Sequence, residues 1–290
     1  MTWRILAIIT PVMLICLIGW GYGRWRKPDM AGINRLNVEL LTPLLVFVSM
    51  AARDFHLAGY LPLLGIAGAI MFGSGLIGWG VARVLGYNVN AFVPSMMFSN
   101  TANMGLPLTL FAFGPAHLPA AVAIFMLSSL LHFTIGMRLV DGRADLRGLL
   151  RVPMLWALAA GLAVNLSGLA LPEPVVLALK SIGETSIPLM LFALGVRIAD
   201  FRISRWMEGV VGGVVCSVSG LLIAWPLVTL IDLPAPQAGV LLLFASLPPA
   251  VMNYLLAEEY RQDPDLVAAI VVAGTLLSLL FVPFALYLAL

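Results

Sequence analysis

The chain alternates between long apolar runs and short polar or turn-rich stretches. Ten runs approach the roughly 20 apolar residues needed to cross a bilayer. They fall at 4–23, 33–52, 59–84, 91–114, 118–138, 152–170, 173–197, 207–231, 235–258 and 264–288. The pattern predicts an all-α integral membrane protein with ten transmembrane helices. Two of the runs are interrupted at their centres. The fourth carries Ser99-Asn100-Thr101-Ala102-Asn103-Met104-Gly105-Leu106-Pro107. An unbroken apolar helix has no use for two amides, a hydroxyl, a glycine and a proline there, since proline lacks an N–H and clashes one turn back. The ninth carries Ala245-Ser246-Leu247-Pro248-Pro249-Ala250, where adjacent prolines remove two donors. Irregular backbone at membrane depth is tolerated only inside protein or beside a wet cavity. Each interrupted run is therefore expected to be two half-helices meeting at a site.

Laying the two halves of the chain over one another brings out a repeat. Thr42-Pro43-Leu44-Leu45-Val46-Phe47 in the second run resembles Ile187-Pro188-Leu189-Met190-Leu191-Phe192 in the seventh, at an offset of 145, and Asp54-Phe55 resembles Asp200-Phe201 at 146. Offset 145 also carries Glu39 onto Glu184, and 146 carries Asn100–Asn103 onto the Ser246–Pro249 break. Runs three and eight are both glycine-rich, as close helix contacts in lipid require. These contacts serve packing within a protomer or a homodimer. Five runs per half is an odd number, so the halves, 1–145 and 146–290, are expected to insert with opposite topology. Inverted repeats with matching interrupted helices point to a secondary transporter.

Composition agrees with this class. The chain is 61% hydrophobic and 10% charged, with mean hydropathy +1.03. Its net charge of +2, with no basic cluster, gives no sign of a nucleic-acid partner. Residues 5–23 resemble a signal peptide but lack a small-residue cleavage site, so a first spanning helix is expected. Cys16 and Cys216 sit in apolar runs and read as small core residues. Of the sixteen Lys and Arg residues only Arg4, Arg53 and Lys180 fall on one side of the predicted topology. By the positive-inside rule the other side is cytoplasmic. Both termini are then expected on the extracytoplasmic face of the cytoplasmic membrane. Arg143, Arg147 and Arg151 form a basic stripe suited to lipid headgroups.

Candidate chemistry concentrates at the breaks. Half-helices meeting at mid-membrane present N–H groups and positive dipole ends that suit a carboxylate, and free carbonyls that suit a cation. Asn100, Thr101, Asn103, Gly105 and Pro107 in the first break, with Ser246, Pro248, Pro249 and Asn253 in the second, are the candidate substrate-binding residues. The alternative is a pair of kinks whose polar groups satisfy only freed backbone. Glu39, Glu184 and Lys180 are ionisable groups at depth and candidates for ion coupling. Their alternative is pairing one helical turn away, Glu39 with Arg35 and Glu184 with Lys180. His132 is a lone imidazole on an apolar helix, more often a packing residue than a proton relay. No catalytic, nucleotide-binding or metal-binding motif occurs, so neither an enzyme nor a resident cofactor is expected.

Asn100-Thr101-Ala102-Asn103-Met104-Gly105-Leu106-Pro107-Leu108, together with Pro248-Pro249-Ala250-Val251, Leu256-Ala257-Glu258-Glu259-Tyr260, Gly274-Thr275-Leu276-Leu277-Ser278-Leu279 and Pro283, resembles the auxin efflux carrier family in its bacterial branch. The resemblance implies ten helices as two inverted five-helix repeats, with helices four and nine crossing where they unwind. That fold is similar to those of bile-acid and sodium–proton transporters. It also implies a small organic anion, a mono- or dicarboxylate, with Asn100 and the prolines of the crossing holding the carboxylate. Plant members place proline directly after the asparagine of run four, where this chain has Thr101, so auxin itself is not the expected substrate. The expectation is a permease moving an organic anion by alternating access, with protons or sodium as possible coupling ions. A sodium-coupled bile-acid-like symporter and a ligand-sensing receptor without transport are the alternatives.

Overall fold

A computed structural model describes residues 1–53, 55–142, 152–200 and 204–290. Among these residues the chain is helical throughout, apart from one isolated β-bridge. The first half holds α1 (Thr2–Arg26), α2 (Ala31–Ala51), α3 (Leu57–Leu85), α4 (Val89–Met97), α5 (Thr101–Phe113) and α6 (Pro115–Val140). The second holds α7 (Pro153–Ser167), α8 (Glu173–Ala199), α9 (Trp206–Leu230), α10 (Ala235–Ala245), α11 (Val251–Glu259) and α12 (Pro264–Ala289). Seven of these, α1, α2, α3, α6, α8, α9 and α12, are long and apolar enough to cross a membrane. The predicted fourth and ninth runs are each divided in two, at Phe98–Asn100 and Ser246–Ala250. Asp54, Phe201 and the Arg143, Arg147 and Arg151 stripe lie outside the described residues.

Two packing groups build the molecule. α1 lies along the C-terminal half of α8, and α2 lies along α7 and the N-terminal half of α8. Glycine lets the first pair approach backbone to backbone. A Cβ on Gly195 would collide with the Cys16 carbonyl, and one on Gly19 with the Phe192 carbonyl. Such contacts supply the dispersion energy that the hydrophobic effect cannot provide between helices in lipid. The second group joins α9 to α12, α3 and α4, with α10 and α11 against α12. Most glycines of α3 and α9 singled out by the repeat are used within this chain. Gly75 packs on Met97, Gly212 on Ile270 and Gly213 on Gly274, while Gly65 and Gly68 have nothing within 4 Å.

Loop contacts define the two ends of the bundle. At one end Arg205, before α9, donates to Asp263, before α12, at 2.8 Å, and Asn88 donates to Gln262 at 3.3 Å. This end carries the basic turn after α1 and the Arg-bearing ends of α3, α6 and α8. At the other, Asn165 Nδ2 donates to the carbonyls of Ala52 and Phe55 at 2.7 and 3.0 Å.

Candidate functional site

The two breaks meet and pair. Ser99 and Pro249 form an antiparallel bridge, flanked by Asn100 N–H donating to Pro248 O at 2.7 Å and Ala250 N–H donating to Phe98 O at 2.9 Å. Extended backbone in the midst of a helical bundle thus satisfies itself across the crossing, as burial demands. Asn253, one turn into α11, adds a third tie by donating its amide to Phe98 O at 2.9 Å. Several carbonyls around the proline break at the end of α10 are also taken. Leu243 O accepts from Ser246 Oγ at 2.7 Å, Ser246 O from Ser217 Oγ at 3.2 Å, and Leu247 O from Cys216 Sγ at 3.8 Å.

α5 and α11 both begin at the crossing, so both aim their N-terminal ends at it. α5 opens with a wide π turn over Thr101–Gly105, in which the Met104 and Gly105 N–H groups share the Asn100 carbonyl at 3.3 and 3.1 Å. Residues 102 and 103 are left with no carbonyl behind them in the helix. A helix start of this kind carries about half a positive charge.

A cavity of about 980 Å³ runs from the crossing to the arginine-rich end. Its inner wall includes Asn100, Thr101, Ala102, Asn103, Val251 and Met252. Asn100 Nδ2 and His132 Nε2 on this wall, and Asn253 Oδ1 in the adjoining crossing, are buried with no hydrogen-bond partner among the described residues. Each such atom costs about 1–3 kcal/mol when left unpaired, so three together require an explanation. His132 lies flat on Phe98, with ring centroids 4.2 Å apart and planes at 5°. It interacts with the Asn253 amide without reaching hydrogen-bonding geometry. Gly136 makes room, because a Cβ there would sit 2.7 Å from both the His132 and the Phe98 rings. On the far side of the same segment, Ser99, Thr101 and Ser74, whose Oγ is unpaired, border a void of about 30 Å³.

The sequence candidates separate accordingly. Asn100, Thr101 and Asn103 line the cavity, with Asn100 only 2% exposed. Asn253, Pro248 and Pro249 form the crossing itself. Gly105, Pro107 and Ser246 were expected at the site, but they are not on the cavity wall. Gly105 packs on Phe244, Pro107 is buried in the first turns of α5, and Ser246 bonds the end of its own helix. Glu39 lies on the cavity wall yet bonds Arg35 at 2.9 Å and is 53% exposed. Lys180 and Glu184 pair at 3.8 Å and border a different cavity, of about 530 Å³, at the opposite end. The three ionisable candidates are therefore not brought together. Among the described residues no cluster of metal-binding side chains occurs.

Sequence reasoning passed over several wall residues: Asn37, Ser128, Ser129 and Arg197, and it set His132 down as packing. Ser128, Ser129 and His132 share one face of α6 by helical spacing, and that polar stripe was the available signal. In the sequence Arg197 counts only toward the topological charge bias.

Comparison with known proteins adds the family. The family described as Membrane transport protein matches residues 5–145 and 142–286. Two curated relatives, each named only as an uncharacterized transporter, span nearly the whole chain. One, from Methanothermobacter thermautotrophicus, is 27% identical over 95% of both chains. The other, from Methanocaldococcus jannaschii, is 22% identical over 95% of this chain and 96% of its own.

Proposed function

The chain belongs to the membrane transport protein family, the auxin efflux carrier family that its two broken runs resemble, and from that premise we propose a secondary carrier for a small organic anion, a mono- or dicarboxylate. The observation that carries the substrate class is the donor-rich closed end of the large cavity. Asn100 Nδ2 and the starts of α5 and α11 converge there on a space large enough for such a molecule. A carboxylate seated there accepts from the amide and from the first-turn N–H groups, which offsets the loss of its hydration. Partly exposed Arg197 on the same wall raises the local anion concentration.

Alternating access accounts for two cavities at opposite ends. Between their linings α6 and α8 carry fully packed apolar side chains, with Val122, Ile124, Ile187 and Leu191 all at most 1% exposed. In this reading the group around the crossing (α3 to α6 and α9 to α12) moves against α1, α2, α7 and α8, as an elevator or a rocker, and passes the site from one cavity to the other. Each group draws helices from both inverted five-helix repeats, 1–145 and 146–290. The arginine-rich end faces the cytoplasm, so the cavity described is open inward and both termini lie outside.

Counterflow of labelled malonate in proteoliposomes tests the proposal without assuming a coupling ion. Uptake by the wild type, lost in Asn100→Ala with the melting transition retained, is the expected result. Equal uptake by both proteins removes Asn100 from the site.

A further inference from the structure

We infer that His132 is the proton-accepting group of the anion site, so that a carboxylate and a proton bind together. The inference rests on the organic-anion reading above and adds to it a coupling ion and the residue that holds it. His132 is 6% exposed and reaches the cavity beside the crossing. Among the described residues its Nε2 has no hydrogen-bond partner, and neither has Asn100 Nδ2 on the same wall nor Asn253 Oδ1 at the crossing. The surroundings are otherwise uncharged: Phe98 and Phe133 by ring contact, Gly136 by close packing and Asn253 by its amide.

Other titratable groups are accounted for. α4, which ends at Phe98, contains none. On α11, Tyr254 donates to Glu258 at 2.9 Å. The charged residues that share the cavity are Asp29, Glu39 and Arg197, and Glu39 is already held by Arg35. Among the described residues no ion pair involves His132.

A bound carboxylate supplies the missing charge. Seated against Asn100 Nδ2, it stands close to the Phe98-stacked ring in surroundings of low dielectric, where an opposite charge strongly favours the protonated imidazole. The proton comes from solvent through the cavity and goes to a ring nitrogen; no other bond is made or broken. The imidazolium donates to the carboxylate or to Asn253 Oδ1, filling a second vacant acceptor. Anion and cation then move as a pair, and one negative charge is neutralised during translocation. By linkage the sign follows: anion binding takes up a proton, so affinity rises as pH falls.

The test is calorimetric titration of the full-length protein in detergent with malonate, over a pH range in which malonate stays fully ionised, repeated in buffers of different ionisation enthalpy. The wild type is expected to take up about one proton per malonate and to bind about tenfold more tightly for each unit fall in pH where coupling is complete. His132→Gln, and His132→Phe, which keeps the stack on Phe98, are expected to bind malonate with no proton uptake and a flat pH profile. Proton uptake unchanged in both variants overturns the inference while leaving the carrier reading standing. No malonate binding by a wild type with an intact melting transition overturns the dicarboxylate reading, and the inference falls with it.

Discussion

The two breaks occupy matching positions in the halves of the chain and form one crossing, yet they have become different objects. At the α10–α11 break the prolines delete donors, and every carbonyl followed above finds a partner: Ser246 Oγ, Ser217, Cys216 and the Asn100 N–H. What it keeps toward a ligand is the Asn253 amide oxygen and the first-turn N–H groups of α11. At the α4–α5 break no proline stands between Phe98 and Gly105, and the chain opens into a wide π turn whose first residues face the cavity. Asn100 spends its backbone on the crossing and keeps its side-chain amide unpaired. One break is mainly a clamp, while the other keeps polar groups toward the cavity. The lesson is that a repeat supplies two irregular segments, while the hydrogen bonds around each decide which one remains available. Among the described residues the asymmetry extends to the π turns, at Asn37–Leu41, Thr101–Gly105 and His132–Gly136, all in the first half and all bordering the large cavity. Such turns recur at functional sites because they expose backbone groups that an α-turn would pair.

Substitutions can break this comparison. The largest expected effect is that of Asn100→Ala, which removes the free amide. Counterflow should fall by tenfold or more, with the melting temperature in detergent near that of the wild type. Asn253→Ala comes next and acts the other way round. Losing the tie to Phe98 O costs about 0.5–1.5 kcal/mol, so a lower melting temperature should accompany any loss of counterflow. If instead Asn253→Ala abolishes counterflow at unchanged stability, the second break is also a binding face. Ser246→Ala should show less, since its hydroxyl only caps Leu243 O. A modest fall in melting temperature with normal counterflow is the expected outcome. Glu39→Gln should be the smallest, because an exposed i,i+4 pair contributes roughly 0–1 kcal/mol. A large loss of transport in that variant would return Glu39 to the list of coupling groups.

Glu39 and Glu184 show where reading by repeat alone misleads. The offset aligns them, and each has the intrahelical cation that its spacing allows, but they border cavities at opposite ends. Gly105 and Pro107 show a related limit. They mark the break because they permit it, and for the same reason their side-chain positions are spent on packing against α10 and within α5. His132 shows the converse. In sequence it is one polar residue in an apolar run, and only the fold stacks it on Phe98 at the cavity wall.

The pattern of residues alone marked the class of the protein, seven helices long enough to span and the two points at which helices break. Those features follow from solvent: a bilayer admits no unpaired backbone, so polar groups and prolines at depth announce irregularity wherever the chain folds. Three-dimensional packing was needed to show that the breaks pair with each other, that their hydrogen bonding differs, and that an imidazole on α6 stacks on Phe98 beside them. Such facts depend on residues 150 or so positions apart meeting within hydrogen-bonding distance, as Phe98 meets Ala250 and Asn253. Local pattern carries the cost of a buried polar group, but the partner that relieves it is chosen in three dimensions.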